Sequence, residues 1–281
     1  NEWYMYKLVA IDMDETLLND DAEITPKNVS VLKKAIKDGV KVVLNTGRSY
    51  LSVQENLKTL GIYQTKDQYV VSFNGGAIVE NKDLKVVHVE GLAFDIVKQL
   101  FDISLRYYPE SCIHVYTLDE LYMWNVNQDE KDYLQPRGVE WTELQEPNID
   151  FLKDTPITKI IININDMDKR LAFNEIARKE IGDKFKTTYS SGRYIEFNNI
   201  STDKGTGMLK LAEMLGIKPE ETIAIGDNSN DLPMIEAAGV GVAVRNANEQ
   251  VLSKADYICK RDNNHDAVAE AVDKFIYNKI D

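Results

Sequence analysis

The residues of this chain best placed to do chemistry together are acids that end apolar runs. In KLVAIDMDETLL, residues 7–18, the run Leu8–Ile11 delivers Asp12 and Asp14. Carboxylates this close repel, and each raises the other's pKa unless a cation or a hydrogen-bond network compensates. An isolated pair of this kind reads as turn or N-cap chemistry, where Asp is favoured. Other stretches have the same form: Asn45-Thr46-Gly47-Arg48, Asn74-Gly75-Gly76 and Asp227-Asn228-Ser229-Asn230-Asp231 each follow an apolar run. A cluster of carboxylates with few cations nearby calls for a divalent ion, and an all-oxygen set without His or Cys selects Mg²⁺. Lys204, the backbone amides of Gly47 and Met13, and the Thr46 hydroxyl are groups able to hold the equatorial oxygens of a phosphate. A lysine at a helix start is disfavoured by the helix dipole, which argues that Lys204 stands there for another reason.

These groups need elements that bring them to one place. Strands are expected near 8–11, 40–45 and 69–73, separated by helices near 26–37 and 50–60, the first opened by Thr25-Pro26 and the second closed by Gly61. This alternation argues for a parallel sheet with helices on both faces. From about 94 to 197 the strands carry alternating polar residues, as in an antiparallel sheet with one solvated face. The parallel pattern then resumes, with a helix over 204–215 and strands near 222–226, 240–244 and 257–259. The fold class expected is therefore α/β, a doubly wound, Rossmann-like parallel sheet interrupted by an inserted α+β domain. The boundaries expected are 1–84 and 199–281 for the core and 85–198 for the insertion. Parallel strands present their carboxyl ends on one edge, so Asp12, Asp14, Thr46, Asp227 and Asp231 should converge on one rim.

Composition narrows the partners. The chain has 281 residues, enough for one large domain or two modest ones, and a formal net charge of −13. That charge argues against nucleic acid or an anionic membrane surface as partner, since binding many phosphates needs basic patches. No apolar run approaches the roughly 20 residues that span a bilayer. The opening NEWYMYK has no apolar signal-peptide stretch and does not begin with Met, as a processed end would not. Cys112 and Cys259 stand far apart, which suits small core residues in a reducing cytoplasm. His88, His114 and His265 show no metal-ligand spacing and are expected to be structural or exposed.

DMDETLL, NTGR, the DKG at Asp203-Lys204-Gly205 and GDNSND together resemble, in order, the four motifs of the haloacid dehalogenase-like superfamily. The insertion after the third strand is similar to that of its Cof-type, cap-type IIB phosphatases, and the similarity spans the whole chain. The resemblance implies a Mg²⁺-dependent phosphatase of small phosphomonoesters such as sugar phosphates, with a cap that closes over the rim and expels water. It implies Asp12 as the nucleophile that forms an aspartyl-phosphate and Asp14 as the general acid and base. Thr46 and Gly47 match the phosphate-binding second motif, and Lys204 matches the cation that neutralises phosphate and nucleophile. Asp227 matches a metal ligand beside Asp12 and the Asp14 position, where the family uses a carboxylate or main-chain carbonyl. Asn230 matches a phosphate contact, and Asp231 a supporting acid, metal-linked or bound to Lys204. An acid at position 14 favours phosphate hydrolysis over dehalogenation, because phosphoryl transfer needs a proton delivered to an alkoxide.

Arg48 is expected on the substrate phosphate or bracing the cap, and Asn74 orienting a catalytic loop, with a structural role that satisfies loop backbone as the alternative for each. The third motif departs from the family, with Asn199-Ile200-Ser201-Thr202 where Pro and Gly are common. Tyr116, Tyr122, Trp124 and Tyr189 either line a sugar-binding face or fill the core of the insertion. Alternatives are a phosphosugar mutase that returns phosphate to its substrate, a phosphoacceptor switch, and a non-catalytic sugar-phosphate binder. The acid-base role of Asp14 argues against the switch, and the full set of catalytic positions argues against the binder.

Overall fold

The computed structural model describes residues 4–280; the expectation for NEWYMYK falls partly on residues 1–3, which with Asp281 lie outside the described residues. In chain order the elements are β1 (Leu8–Ile11), α1 (Pro26–Lys37), β2 (Lys41–Asn45), α2 (Gln54–Leu60), β3 (Tyr69–Ser72), β4 (Ala77–Glu80), β5 (Lys85–Val89), α3 (Phe94–Tyr107), β6 (Ile113–Thr117) and β7 (Leu121–Trp124). They continue with α4 (Gln128–Leu134), β8 (Thr142–Glu143), β9 (Ile157–Asn163), α5 (Met167–Ile181), β10 (Phe185–Ser190), β11 (Tyr194–Asn199) and α6 (Lys204–Met214). The last are β12 (Thr222–Gly226), α7 (Leu232–Ala237), β13 (Val240–Ala243), α8 (Glu249–Lys254), β14 (Tyr257–Ile258) and α9 (Ala267–Phe275).

The chain forms two compact units. One runs to Val89 and resumes at Thr202; the other is Glu90–Ser201. The first unit holds an eight-stranded sheet in the order β14-β13-β12-β1-β2-β3-β4-β5, parallel except for β4 and β5. β1 lies between β2 and β12, with Ile11 opposite Leu44 on one side and Ile225 on the other. All four β1 residues are buried, as expected of a central parallel strand covered on both faces, which is why its sequence reads as an unbroken apolar run. Leu8, Ala10, Val43, Val71 and Ala224 share a cluster with Met208, Leu211 and Ala212 of α6, so α6 packs directly beneath the centre of the sheet.

The boundaries of the units differ from those expected, and pairing explains both differences. β5 adds antiparallel to β4, with Val89 opposite Ala77, which carries the first unit to Val89. β11 runs on to Asn199 opposite Phe185, and the Asn199 Nδ2 donates to Gly91 O at 2.7 Å, which holds this end of the strand in the second unit. The second unit's sheet has the order β10-β11-β9-β6-β7-β8 and is antiparallel apart from the short β7–β8 pair. Its core is built on Val97, Leu100 and Phe101 of α3, Phe173 of α5, and Ile160, Ile162, Ile195 and Phe197 of the sheet. Tyr122 and Trp124 pack against this core and Tyr116 against a neighbouring cluster, while Tyr189 is exposed.

Local chemistry departs from expectation in two places. Thr25 precedes α1 in extended conformation but makes no side-chain cap; its hydroxyl donates to Asp266 Oδ1 at 2.6 Å instead. The helix expected over 50–60 begins as a tighter turn at Tyr50–Val53, opened by Ser49, whose side chain accepts from Leu51 N–H, before α2 proper. Cys112 and Cys259 are buried and free, and burial pushes both thiols far up. No helix among the described residues is long and apolar enough to cross a membrane.

Candidate active site

Asp12 is the first residue after β1, and its backbone is locked in line with the neighbouring strand by Asp12 N–H donating to Ile225 O at 3.0 Å. The segment beyond it is a wide turn, Met13–Leu17, closed by Leu18 N–H on Met13 O. Lys204 is the first residue of α6, behind Asp203, whose side chain accepts from Thr206 N–H. That cap places the ammonium group at the helix start in spite of the dipole, and the reason is local. Lys204 is fully buried, and its Nζ donates to Asp12 Oδ1 and to Asp231 Oδ1, each at 2.6 Å. Its backbone is anchored by Asn45 Nδ2 donating to Lys204 O at 3.0 Å. Burial works against the charge on Lys204, yet Asp12 and Asp231 hold its pKa above the ordinary lysine value.

Asp227 follows β12, and its carboxylate accepts from the Thr16 hydroxyl at 2.8 Å. Its backbone carbonyl accepts from Asn248 N–H at 2.9 Å. Asp231 turns back toward the strand end: its Oδ2 accepts from Asp227 N–H at 2.9 Å and from Asn228 N–H at 3.1 Å. A Cβ on Gly226 would sit 2.5 Å from that of Asp231, so only glycine leaves room for this turn. Asp12, Asp227 and Asp231 are all buried, and their ligand oxygens lie within 4.8 Å of one another. Burial pushes the Asp12 carboxyl up to about 7, with the hydrogen bond to Asp227 and that group's charge adding to it and Lys204 pulling the other way. Burial likewise raises Asp227, against the hydrogen bonds from Asp12 and Thr16. Asp231 is pushed up to about 6 by burial and by Asp12, against Lys204. Three buried acids facing one buried cation leave an excess of negative charge, and the donor set is hard oxygen throughout. These residues therefore fit a small divalent cation.

Thr46 is buried after β2, and its Oγ1 accepts from Arg48 N–H at 3.0 Å. Among the described residues, no protein acceptor takes the Gly47 N–H. Asn230 Nδ2 donates to Asn74 Oδ1 at 3.2 Å. Asp14 stands apart from its expected place in the carboxylate cluster. Its side chain is 58% exposed and paired at two points with Arg48, through Nε on Oδ2 at 3.0 Å and NH2 on Oδ1. The side chain is therefore no part of the cation-binding group in this conformation, and Arg48, expected on phosphate or cap, holds an acid. Met13 lies in the turn with its side chain buried.

The sequence reading missed Thr16 as the partner of Asp227 and Asn45 as the anchor of Lys204. Position was the available signal, since Asn45 is the polar last residue of β2, directly after Val42-Val43-Leu44, and Thr16 sits two residues beyond Asp14. It also missed a second convergence, in the inserted unit. Cys112, His114 and Glu130 are brought together in space without any sequence spacing. His114 Nε2 lies 2.6 Å from Glu130 Oε2, and the same carboxylate is committed to Arg193 at 2.7 Å and to the Tyr194 hydroxyl at 2.9 Å. That commitment makes it a structural network.

A family model described as haloacid dehalogenase-like hydrolase matches residues 9–272. YxeH of Bacillus subtilis (strain 168) is 33% identical over 282 residues, covering 98% of this chain and 100% of YxeH. The 5-amino-6-(5-phospho-D-ribitylamino)uracil phosphatase YcsE of the same organism is 30% identical over 266 residues, 95% of this chain and 94% of that one. A solved haloacid dehalogenase-like hydrolase from Bacteroides thetaiotaomicron superposes with a TM-score of 0.80 at 29% identity, covering 96% of this chain and 99% of that chain.

Proposed function

Because the chain belongs to the haloacid dehalogenase-like hydrolases, in their Cof-type phosphatase branch, we propose that it hydrolyses small phosphomonoesters, sugar or sugar-alcohol phosphates, through an aspartyl-phosphate on Asp12. The observation that carries this reading is the buried Lys204 ammonium held at 2.6 Å from both Asp12, at the end of β1, and Asp231, in the turn after β12. A nucleophilic carboxylate must be fixed and partly neutralised before it meets a dianionic phosphate, and Lys204 does both for Asp12. Asp12 and Asp227 would hold Mg²⁺, with Asp231 bracing Lys204 from behind and the Asp14 segment adjacent. When bound, that cation screens the repulsion between carboxylate and phosphate and stabilises charge at the transferring group.

The chain's own residues supply the rest. The Thr46 hydroxyl, the Gly47 amide, Lys204 and the Asn230 amide hold the phosphate oxygens. As the Asp12 oxygen bonds to phosphorus, the bond to the ester oxygen breaks, and Asp14 gives that oxygen its proton. In the second half Asp14 takes a proton from water as the water oxygen bonds to phosphorus, and Asp12 leaves with its electron pair. Before either step Arg48 must release Asp14, because both carboxylate oxygens are engaged by the guanidinium. The substrate class is supported by YcsE, whose substrate carries a phosphoribityl group. The phosphorylated metabolite is the expected partner, and the reducing cytoplasm the expected compartment.

The test is phosphate release from sugar, sugar-alcohol and nucleoside monophosphates with Mg²⁺, repeated with EDTA and with Asp12→Asn. Sugar or sugar-alcohol phosphates should turn over best, and EDTA and Asp12→Asn should each abolish release. Release that survives the substitution, or that ignores EDTA, overturns the mechanism.

A further inference from the structure

The turn after β3, Phe73–Gly75, has an unusual backbone. Phe73, Asn74 and Gly75 have φ of 54°, 54° and 91°, three successive residues in the left-handed region. Glycine is at ease there and asparagine tolerates it, but a phenylalanine is forced. Such strain persists only where the surroundings over-determine it. On one side Phe73 N–H donates to Arg48 O at 3.1 Å, Asn74 N–H to Thr46 O at 2.9 Å, and the Ser72 hydroxyl to Arg48 O at 2.7 Å. On the other side the turn sits against the start of α6. A Cβ on Gly75 would lie 2.1 Å from Asp203 O, and one on Gly207 would lie 2.8 Å from the Gly75 Cα. The turn is therefore clamped between the loop that carries Thr46 and Gly47 and the helix that carries Lys204.

This clamp sets the Asn74 side chain between two groups. Its Oδ1 accepts from Asn230 Nδ2 at 3.2 Å, across 156 positions of sequence. The whole amide lies against Gly47, with Nδ2 3.1 Å and Oδ1 3.2 Å from where a Cβ would stand on that residue. We propose that Asn74 is a positioning residue of the phosphate site, which fixes the Asn230 amide and the Thr46-Gly47 loop at one spacing. The proposal rests on the reading of Thr46, Gly47 and Asn230 as phosphate contacts. Asparagine meets both demands of the position, since it accepts a left-handed backbone and carries an amide. Glycine would meet only the first, and aspartate would place a negative charge beside a bound phosphate.

Asn74→Gly separates the two demands, because it keeps the backbone and deletes the amide. It should melt as the wild type does, while kcat/KM for 4-nitrophenyl phosphate falls roughly tenfold, the scale of one net hydrogen bond. A variant that had merely lost folded protein would lower kcat and leave the affinity for inorganic phosphate unchanged. Asn74→Gly should instead weaken inorganic phosphate binding, measured by calorimetry without turnover, by a similar factor. Asn74→Asp should lose more than Asn74→Gly. Combined with Asn230→Ala, Asn74→Gly should cost less than it does in the wild type, because the part of its effect that acts through Asn230 is already gone. Wild-type phosphate affinity in Asn74→Gly, or losses that multiply in the double variant, would overturn the proposal. Asp12→Asn tests the hydrolytic reading separately, since the phosphate calorimetry does not depend on it.

Discussion

Lys204 is the residue on which the electrostatics of the site turn. It is fully buried between two buried carboxylates, and removing one member of such a group leaves uncompensated charge in a low dielectric. Lys204→Met should therefore destabilise the protein by about 3–5 kcal/mol at pH 7.5, read from urea denaturation. The deficit should shrink as pH falls toward 5, because protonation of Asp12 and Asp231 removes the stranded charge. A pH-independent deficit would show that the loss is one of packing. At this scale the sequence was half informative. Asp12 and Asp227 were legible because each stands where an apolar run stops, Asp231 because it closes the polar stretch that Asp227 opens, and Lys204 because a cation at a helix start needs a reason. The Arg48–Asp14 pair was not legible, since it depends on rotamers of two exposed side chains that no spacing dictates.

At the scale of elements, the site depends on how closely α6 approaches the sheet. Gly207 lies over β3, where a Cβ would come within 2.7 Å of Val71 Cγ1 and 2.8 Å of the Gly75 Cα. Gly207→Ala should cost about 1–3 kcal/mol by overpacking and should lower kcat, because Lys204 moves with the helix. An unchanged urea midpoint would contradict this docking. The alternation of strands and helices was readable from the chain because apolar runs and capping residues set it locally. The limits of the two units were less so. β5 joins the first unit through pairing with β4, and β11 extends to Asn199 through pairing with β10. Both are decided by a partner strand, and a strand's own sequence does not name its neighbour.

At the scale of the whole molecule, charge and proton balance are linked. The Asp12 carboxyl is pushed up to about 7 from an ordinary value of 3.8. Between those values the folded chain holds a proton that the unfolded chain releases, so this group's contribution to stability falls as pH rises across that window. Asp231, pushed up to about 6, acts in the same direction over a narrower range. On the proposed reading a divalent cation on Asp12 must displace that proton, so the thermal stabilisation by Mg²⁺ should grow from pH 5.5 to pH 8. A shift that is constant with pH would contradict Asp12 as a ligand. The acids of this cluster all belong to the unit that runs to Val89 and resumes at Thr202, while Glu90–Ser201 has a core of its own. Differential calorimetry should therefore resolve two transitions, of which Mg²⁺ raises only one.

The position of β1 between β2 and β12 has a further consequence, for the nascent chain. Translation delivers β1, with Asp12 at its end, long before β12, and the Thr16–Asp227 hydrogen bond alone spans 211 positions. On the ribosome the central strand of the sheet therefore waits with one edge unpaired while the whole of Glu90–Ser201 is made. That interrupting unit has its complete sequence first and can fold while its host is still unfinished. The inserted unit can thus be complete before the sheet that hosts it is closed, and the open edge of β1 is the surface a chaperone would have to cover in the interval.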